Sequence, residues 1–301
     1  MLGWSIVYVF LLLSVLLPPF NLLTVSLIMV PVTVMYVKLD TKRFFLHYAA
    51  SLAVVYVLSS LLFAGWVGAL LMSVSLFFLP PVIQMGNLYK KRAAARSVLT
   101  IGTITLLGEL LLSLVVSQLL GLQPVPRIQQ FMLESMNTVP PELQAMLPVD
   151  KELLLSMMVK MLPVYMIGFS LFYVVVSHWL ARKVLVRSGE SIPAFKPIKD
   201  WKLPRSFVWI YLVTLLLDMF VRDITSVVFS IVWNLLPILT VAFALQAISF
   251  LFYVAYANRW NKTLPVAGII VLLIFPPAFF LFSLLGVFDV AFPIRERLNR
   301  K

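Results

Sequence analysis

Cysteine is absent from the 301 residues. That excludes disulfides, thiolate metal sites and thiol nucleophiles, and it leaves the redox compartment open. Charge is also sparse, at 12% Asp, Glu, Lys and Arg against roughly 25% in soluble domains. The two histidines, His47 and His178, have no second ligand at metal spacing. No P-loop, no His-Glu-x-x-His helix and no serine paired with an intramembrane histidine occurs in the chain. Neither an ATPase nor a membrane protease is expected, and no cofactor or metal is implied. A lipid-modifying enzyme is disfavoured too, because no clustered acid–base pair faces one membrane surface. The expectation is a non-enzyme.

Apolar residues fill the chain instead. They make up 62% of it, and the mean hydropathy is +1.02. About nine stretches approach the roughly 20 residues that a helix needs to cross about 30 Å of hydrocarbon. They are Leu2 to Leu17, Phe20 to Val37, Leu46 to Phe63, Gly65 to Gln84, Val98 to Leu120, Leu162 to Leu180, Phe207 to Phe220, Leu235 to Ala257 and Leu264 to Phe288. The fold class is therefore all-α, a polytopic transmembrane helix bundle of about eight to nine spans. Residues 1–301 read as a single integral membrane domain. The first stretch lacks the basic start and cleavage site of a secretory signal, so it reads as a retained helix. Pro18-Pro19 separates it from the next.

The formal charge of +12 implies anionic lipid rather than nucleic acid as the partner, because basic residues of polytopic proteins gather in cytoplasmic loops. Sixteen lysines and arginines follow the even-numbered spans: Lys38, Lys42 and Arg43; Lys90 to Arg92 and Arg96; Arg182, Lys183, Arg187, Lys196, Lys199, Lys202 and Arg205; Arg259 and Lys262. Four, at Arg127, Lys151, Lys160 and Arg222, fall on the opposite side. This bias predicts a cell-membrane protein with a cytoplasmic N-terminus and a cytoplasmic loop near residues 181–206. Nine crossings would leave the tail, residues 289–301, outside. Yet that tail carries Arg295, Arg297, Arg300 and Lys301. Pro276-Pro277 lies midway through the last apolar segment; a kinked full crossing is the leading reading there, and a re-entrant hairpin the alternative.

The outside loop, residues 122–154, interleaves Phe131, Met132, Met136, Leu143, Met146 and Leu147 with acidic residues and is broken at Pro140-Pro141 and Pro148. Short amphipathic helices are expected, as a connector across the helix ends or a lid on the membrane surface. Ile224 to Trp233 reads as a similar surface helix.

An ionisable group inside a span is a candidate site by default. Glu109 falls mid-span, where a bare carboxylate costs about 2.5–3.5 kcal/mol on helix-centre insertion scales. Gly102 and Gly108 suggest a close approach on its helix. Gln246, Asn234 and Gln84 are amides that either line a polar cavity with it or bridge helices. Together the four are the candidate substrate or proton residues. Asp218 and Arg222 stand four apart and read as a structural ion pair. His47 and His178 fall near span ends and read as interfacial, and the tryptophans, Trp4 to Trp260, mostly mark an aromatic belt.

Three stretches, Pro80-Pro81 through Gly86 to Tyr89-Lys90, then Trp201-Lys202-Leu203-Pro204, then Gly286-Val287-Phe288-Asp289 with Arg295, resemble the YybS-like family of uncharacterised multi-pass membrane proteins of Gram-positive bacteria. That family is in turn distantly similar to the substrate-binding subunits of energy-coupling-factor transporters. Those subunits carry an Ala-x-x-x-Ala pattern in the first helix, whereas Gly3 to Leu17 here has no alanine. The resemblance implies a transporter-like protein binding a small-molecule solute without its own ATPase, with a protein partner at the cytoplasmic basic loops. The alternative is a membrane scaffold or accessory factor in cell-envelope or signalling processes.

Overall fold

The computed structural model describes residues 1–18, 21–138, 151–292 and 294–298; the expected breaks at Pro19, Pro140-Pro141 and Pro148 and the tail residues Arg300 and Lys301 lie outside them. Helices and their connections make up all of the described residues, with no strand among them. In chain order the helices are α1 (Leu2–Ser14), α2 (Asn21–Leu27), α3 (Met29–Lys38), α4 (Thr41–Leu62), α5 (Gly65–Phe77), α6 (Leu79–Lys90), α7 (Ala95–Leu119), α8 (Pro124–Asn137), α9 (Lys151–Lys160), α10 (Leu162–Arg187), α11 (Ser206–Phe220), α12 (Val227–Ala257), α13 (Thr263–Ile274), α14 (Ala278–Ala291) and α15 (Ile294–Leu298). They gather into two compact units: Met1–Pro124 with Met166–Phe195, and Val125–Tyr165 with Lys196–Lys301.

Among the described residues, five helices are long and apolar enough to cross a membrane: Thr41–Leu62, Gly65–Lys90 taken through its bend, Ala95–Leu119, Leu162–Arg187 and Val227–Ala257. Five further apolar helices are shorter. Eight to nine full spans were expected, and the shortfall lies in the shorter apolar helices: α1, α2 with α3, α11, α13 and α14. Pro80 and Pro81 have no N–H to continue the ladder, so the segment from Gly65 breaks at Phe78 and then runs on to Lys90, past its expected end at Gln84.

The first unit is built around Tyr8, Met35, Phe44, Tyr48, Met85 and Tyr173, all buried. Apolar burial supplies the drive, while hydroxyls set the register. Tyr8 and Tyr48 stack with centroids 5.8 Å apart, and both hydroxyls meet Ser75 Oγ. Tyr36 donates to Asn87 Oδ1 at 2.7 Å, and its ring occupies the space that a side chain at Gly86 would need. At Gly102 a Cβ would stand 2.9 Å from Val174 Cγ1 and 3.0 Å from Met85 Cγ, so one of the two glycines read as a close-approach face serves as one. Gly108 faces open space.

The second unit centres on α12, 31 residues and about 46 Å long. The surface helix expected over Ile224 to Trp233 is instead its first turns, since Ser226 caps it by accepting from Phe229 N at 3.1 Å and the helix runs on past Pro237, which itself donates no ladder bond. Just ahead of the cap, Asp223 accepts from Thr225 N and Oγ1 at 2.8 and 2.6 Å. Those two bonds hold its carboxyl below the usual carboxylate range.

The last apolar segment corrects the expected kinked crossing. It forms two helices, α13 and α14, parted at Phe275, Pro276 and Pro277. Gly268 packs on Ile248 and Leu251, so α13 runs back along the end of α12 from which it came. Gly286 lies on the Phe243 carbonyl, Asp289 meets Gln246, and Tyr253 bonds the Arg295 carbonyl. Residue numbers on α14 and α12 therefore rise together, and the two helices are parallel. The chain has reversed at the prolines. At 12 and 14 residues the two helices are about 18 and 21 Å long, too short to cross about 30 Å of hydrocarbon.

Candidate functional site

Two motifs 85 residues apart in the chain meet on one side chain. Gln246, buried in the middle of α12, accepts from Leu203 N at 3.0 Å and donates to the Trp201 carbonyl at 3.4 Å and to Asp289 Oδ2. Ser249, one turn on, donates to the same Trp201 carbonyl at 2.8 Å. Asp289, fully buried near the end of α14, receives Arg295 Nε at 2.8 Å on Oδ1 and Nη2 at 2.6 Å on Oδ2. The remaining Arg295 nitrogen, Nη1, donates to the Lys199 carbonyl at 2.6 Å, and Nη2 also reaches Ser249 Oγ at 3.1 Å. The segment from Lys199 to Leu203 is thus pinned to α12, α14 and the tail together. A buried carboxylate needs a partner that satisfies both oxygens, and the planar fork of arginine does so.

Gln246 is therefore held by its neighbours at both its oxygen and its nitrogen. Asn234 is too: its Oδ1 accepts from Val164 N at 3.3 Å, and its Nδ2 donates to the carbonyls of Lys160 and Ser230 at 2.8 and 2.7 Å. Both amides bridge elements instead of presenting free polar groups. Gln84 is exposed on α6 and makes no hydrogen bond among the described residues. Glu109, half-buried on α7 in the first unit, likewise has no polar partner among them. Gln246 and Asn234 belong to the second unit. Asp218 and Arg222 form no ion pair. Helix α11 ends at Phe220 and Val221 is extended, so the i, i+4 relation that would place them on one face does not exist.

Sequence reasoning missed the two polar positions with the strongest environments, Asp289 and His178. Asp289 falls at the end of an apolar stretch, where an acid reads as interfacial. His178, expected at the interface, is fully buried in the first unit. Tyr89 OH lies 2.7 Å from its Nδ1, Phe195 meets the ring edge-on at 4.7 Å, and Nε2 has no partner among the described residues. No group of three or more His, Asp or Glu residues able to hold a metal occurs among them.

The reversal at Pro276-Pro277 has its own chemistry. Near the end of a helix, the carbonyls of Leu272 and Leu273 would normally accept from the amides of residues 276 and 277, but proline has none. Ala278, Phe279 and Phe280 turn their amides to the carbonyls of Phe275, Pro276 and Pro277 at 2.9, 3.0 and 3.3 Å. The start of α14 is satisfied by this turn. The last carbonyls of α13 lose those two ladder donors, at the negative end of its dipole.

The chain belongs to a family described as predicted membrane protein, DUF2232, whose model matches residues 5–290. It is 22% identical over 226 residues, 72% of its own length and 73% of the relative's, to an uncharacterized protein, YybS, of Bacillus subtilis strain 168. No solved structure matches it.

Proposed function

We propose that this membrane protein is a multi-pass, non-enzymatic, transporter-like binder of a small solute in the cell membrane, dependent on a partner or an ion gradient for energy. The observation that carries the reading is the broken α13–α14 pair. With α13 about 18 Å long, its end falls within the hydrocarbon, and backbone acceptors left without donors at that depth cost several kcal/mol unless protein or water covers them. Broken helices whose ends meet a water-filled cavity are how transporters build solute and ion sites. The basic residues Arg259, Lys262 and Arg295 then share the cytoplasmic side, which removes the charge conflict of a ninth crossing.

A second reading, a scaffold for a membrane partner, is favoured by the bonding of Gln246 and Asn234, whose amide N–H groups are all taken by protein acceptors. The two readings differ in what covers the hairpin apex. Single cysteines at Phe275 and Ile274 in this cysteine-free chain would be probed with a small water-soluble thiol reagent in membranes. Labelling that a bound solute or imposed ion gradient alters supports the transporter. An apex unreactive until a stoichiometric copurifying protein is removed supports the scaffold and overturns the first reading.

A further inference from the structure

At the C-terminal end of α12 the second unit contains a half-open cavity of about 600 Å³. Phe252, Ala255 and Tyr256 of α12 and Pro197 and Ile198 of the preceding connection form predominantly apolar walls. Lys199, Arg259 and Lys262 also line it, with Trp260 between the last two. No acidic residue is among the lining groups. We propose that this cavity binds an anionic phospholipid of the cytoplasmic leaflet, its phosphate held by Lys199, Arg259 and Lys262 and its first acyl carbons packed against Phe252, Ala255 and Ile198.

Three observations converge on that ligand. First, the walls and the charges ask for different things: a small hydrophilic anion gains nothing from apolar walls, and an uncharged hydrophobe nothing from three cations. An amphiphile with an anionic head uses both. Second, the cavity sits where Tyr256 and Trp260, both exposed, mark the level at which amphipathic rings meet headgroups. Third, its parts are held in place. Arg295 fixes the Lys199 carbonyl at 2.6 Å, and Lys199 Nζ lies over the Tyr256 ring, 3.1 Å from its centroid. Trp201 Nε1 donates to the Lys196 carbonyl at 2.9 Å, which ties down the connection that supplies the cavity wall.

The helix end is shaped for the same purpose. The amide of Trp260 returns to the Ala255 carbonyl at 2.8 Å, closing α12 with Arg259 in the left-handed region, at φ +55°. Glycine is the residue that fits such a position without strain. Arginine occupies it here, and its side chain lines the cavity. Neither Arg259 nor Lys262 has an ion-pair partner among the described residues.

The test is native mass spectrometry of the intact protein released from nanodiscs of phosphatidylglycerol or phosphatidylcholine, alongside binding of inorganic phosphate and of short-chain glycerol phosphate. One phosphatidylglycerol should be retained and phosphatidylcholine should not. The triple variant Lys199→Gln, Arg259→Gln, Lys262→Gln should lose retention at least tenfold, whereas an equal charge change at exposed Lys42, Lys91 and Arg187 should leave it intact. Ile198→Trp, which fills the cavity from an exposed position without altering charge, should abolish retention while thermal stability is unchanged. Equal retention of both lipids, or equal loss in the control triple, would overturn the proposal. Saturable binding of inorganic phosphate that competes with the lipid would overturn the lipid class alone, and it would leave the solute-binding function untouched because that function rests on the hairpin apex.

Discussion

Arg295 grips Asp289 with two nitrogens, Nε at 2.8 Å and Nη2 at 2.6 Å from its two oxygens, and the carboxylate has no exposure to solvent. The pair ties the tail to α14, and through Gln246 and the Lys199 carbonyl it ties both to α12 and the basic connection. Removing one member leaves the other buried and uncompensated, so Asp289→Asn or Arg295→Gln should cost about 3–5 kcal/mol. Replacing both, as in Asp289→Leu with Arg295→Met, should cost less than either single change. Thermal unfolding in detergent measures all three. A double variant as damaged as the sum of the singles would mean that the two residues act independently.

Glycine positions offer a paired comparison. A Cβ at Gly286 would overlap the backbone carbonyl of Phe243, which cannot yield as a side chain can, whereas a Cβ at Gly108 meets nothing within 4 Å. Gly286→Ala should destabilise by about 1–3 kcal/mol through overpacking. Gly108→Ala should be neutral or stabilise by about 0.5–1 kcal/mol through helix propensity. The same unfolding assay reports both, and a tolerated Gly286→Ala would contradict the close contact of α12 and α14.

Among the amides and the intramembrane acid, the structure separates positions that the sequence treats alike. Gln246→Leu strands Leu203 N and one acceptor site on Asp289, a loss of about 1–3 kcal/mol. Gln84→Leu should fall within about 0.5 kcal/mol of the parent, as exposed substitutions generally do. Glu109→Gln also breaks no bond among the described residues and should leave detergent-extracted stability unchanged. A large fall for Glu109→Gln would reveal a cationic partner.

The all-helical membrane class was legible because it follows from apolar run length, which is local; the number of full crossings was not. The prolines were visible in sequence, but what each does to the chain was not: Pro80-Pro81 read as the interior of one span, and Pro276-Pro277 as either a kink or a hairpin. Pro80-Pro81 bends a helix that continues, and Pro276-Pro277 reverses the chain. The difference lies in what α12 offers afterwards: a gap beside Phe243 that only a glycine at 286 fits, and a donor, Gln246 Nε2, for the Asp289 carboxylate, both long-range facts. Gln246 carried two readings, cavity lining or a bridge between helices, because a buried amide reads the same in sequence whether its partners are protein or ligand; in the structure its partners are Leu203, Trp201 and Asp289. Asp218 and Arg222 were paired on a helix that stops at Phe220, and helix ends are where spacing arguments fail first.

The chain reversal carries the sharpest consequence. If α13 and α14 return to the end of α12 that they left, Asn261 and Glu296, both exposed, must face the same side of the membrane, and Thr225, before the first turn of the roughly 46 Å α12, must face the other. Single cysteines at the three positions can be labelled with a membrane-impermeant maleimide in inside-out and right-side-out vesicles. Asn261→Cys and Glu296→Cys should react together in one vesicle type and Thr225→Cys in the other. Reaction of Glu296→Cys with Thr225→Cys would restore a ninth crossing. It would also remove the broken-helix argument on which the proposed function stands.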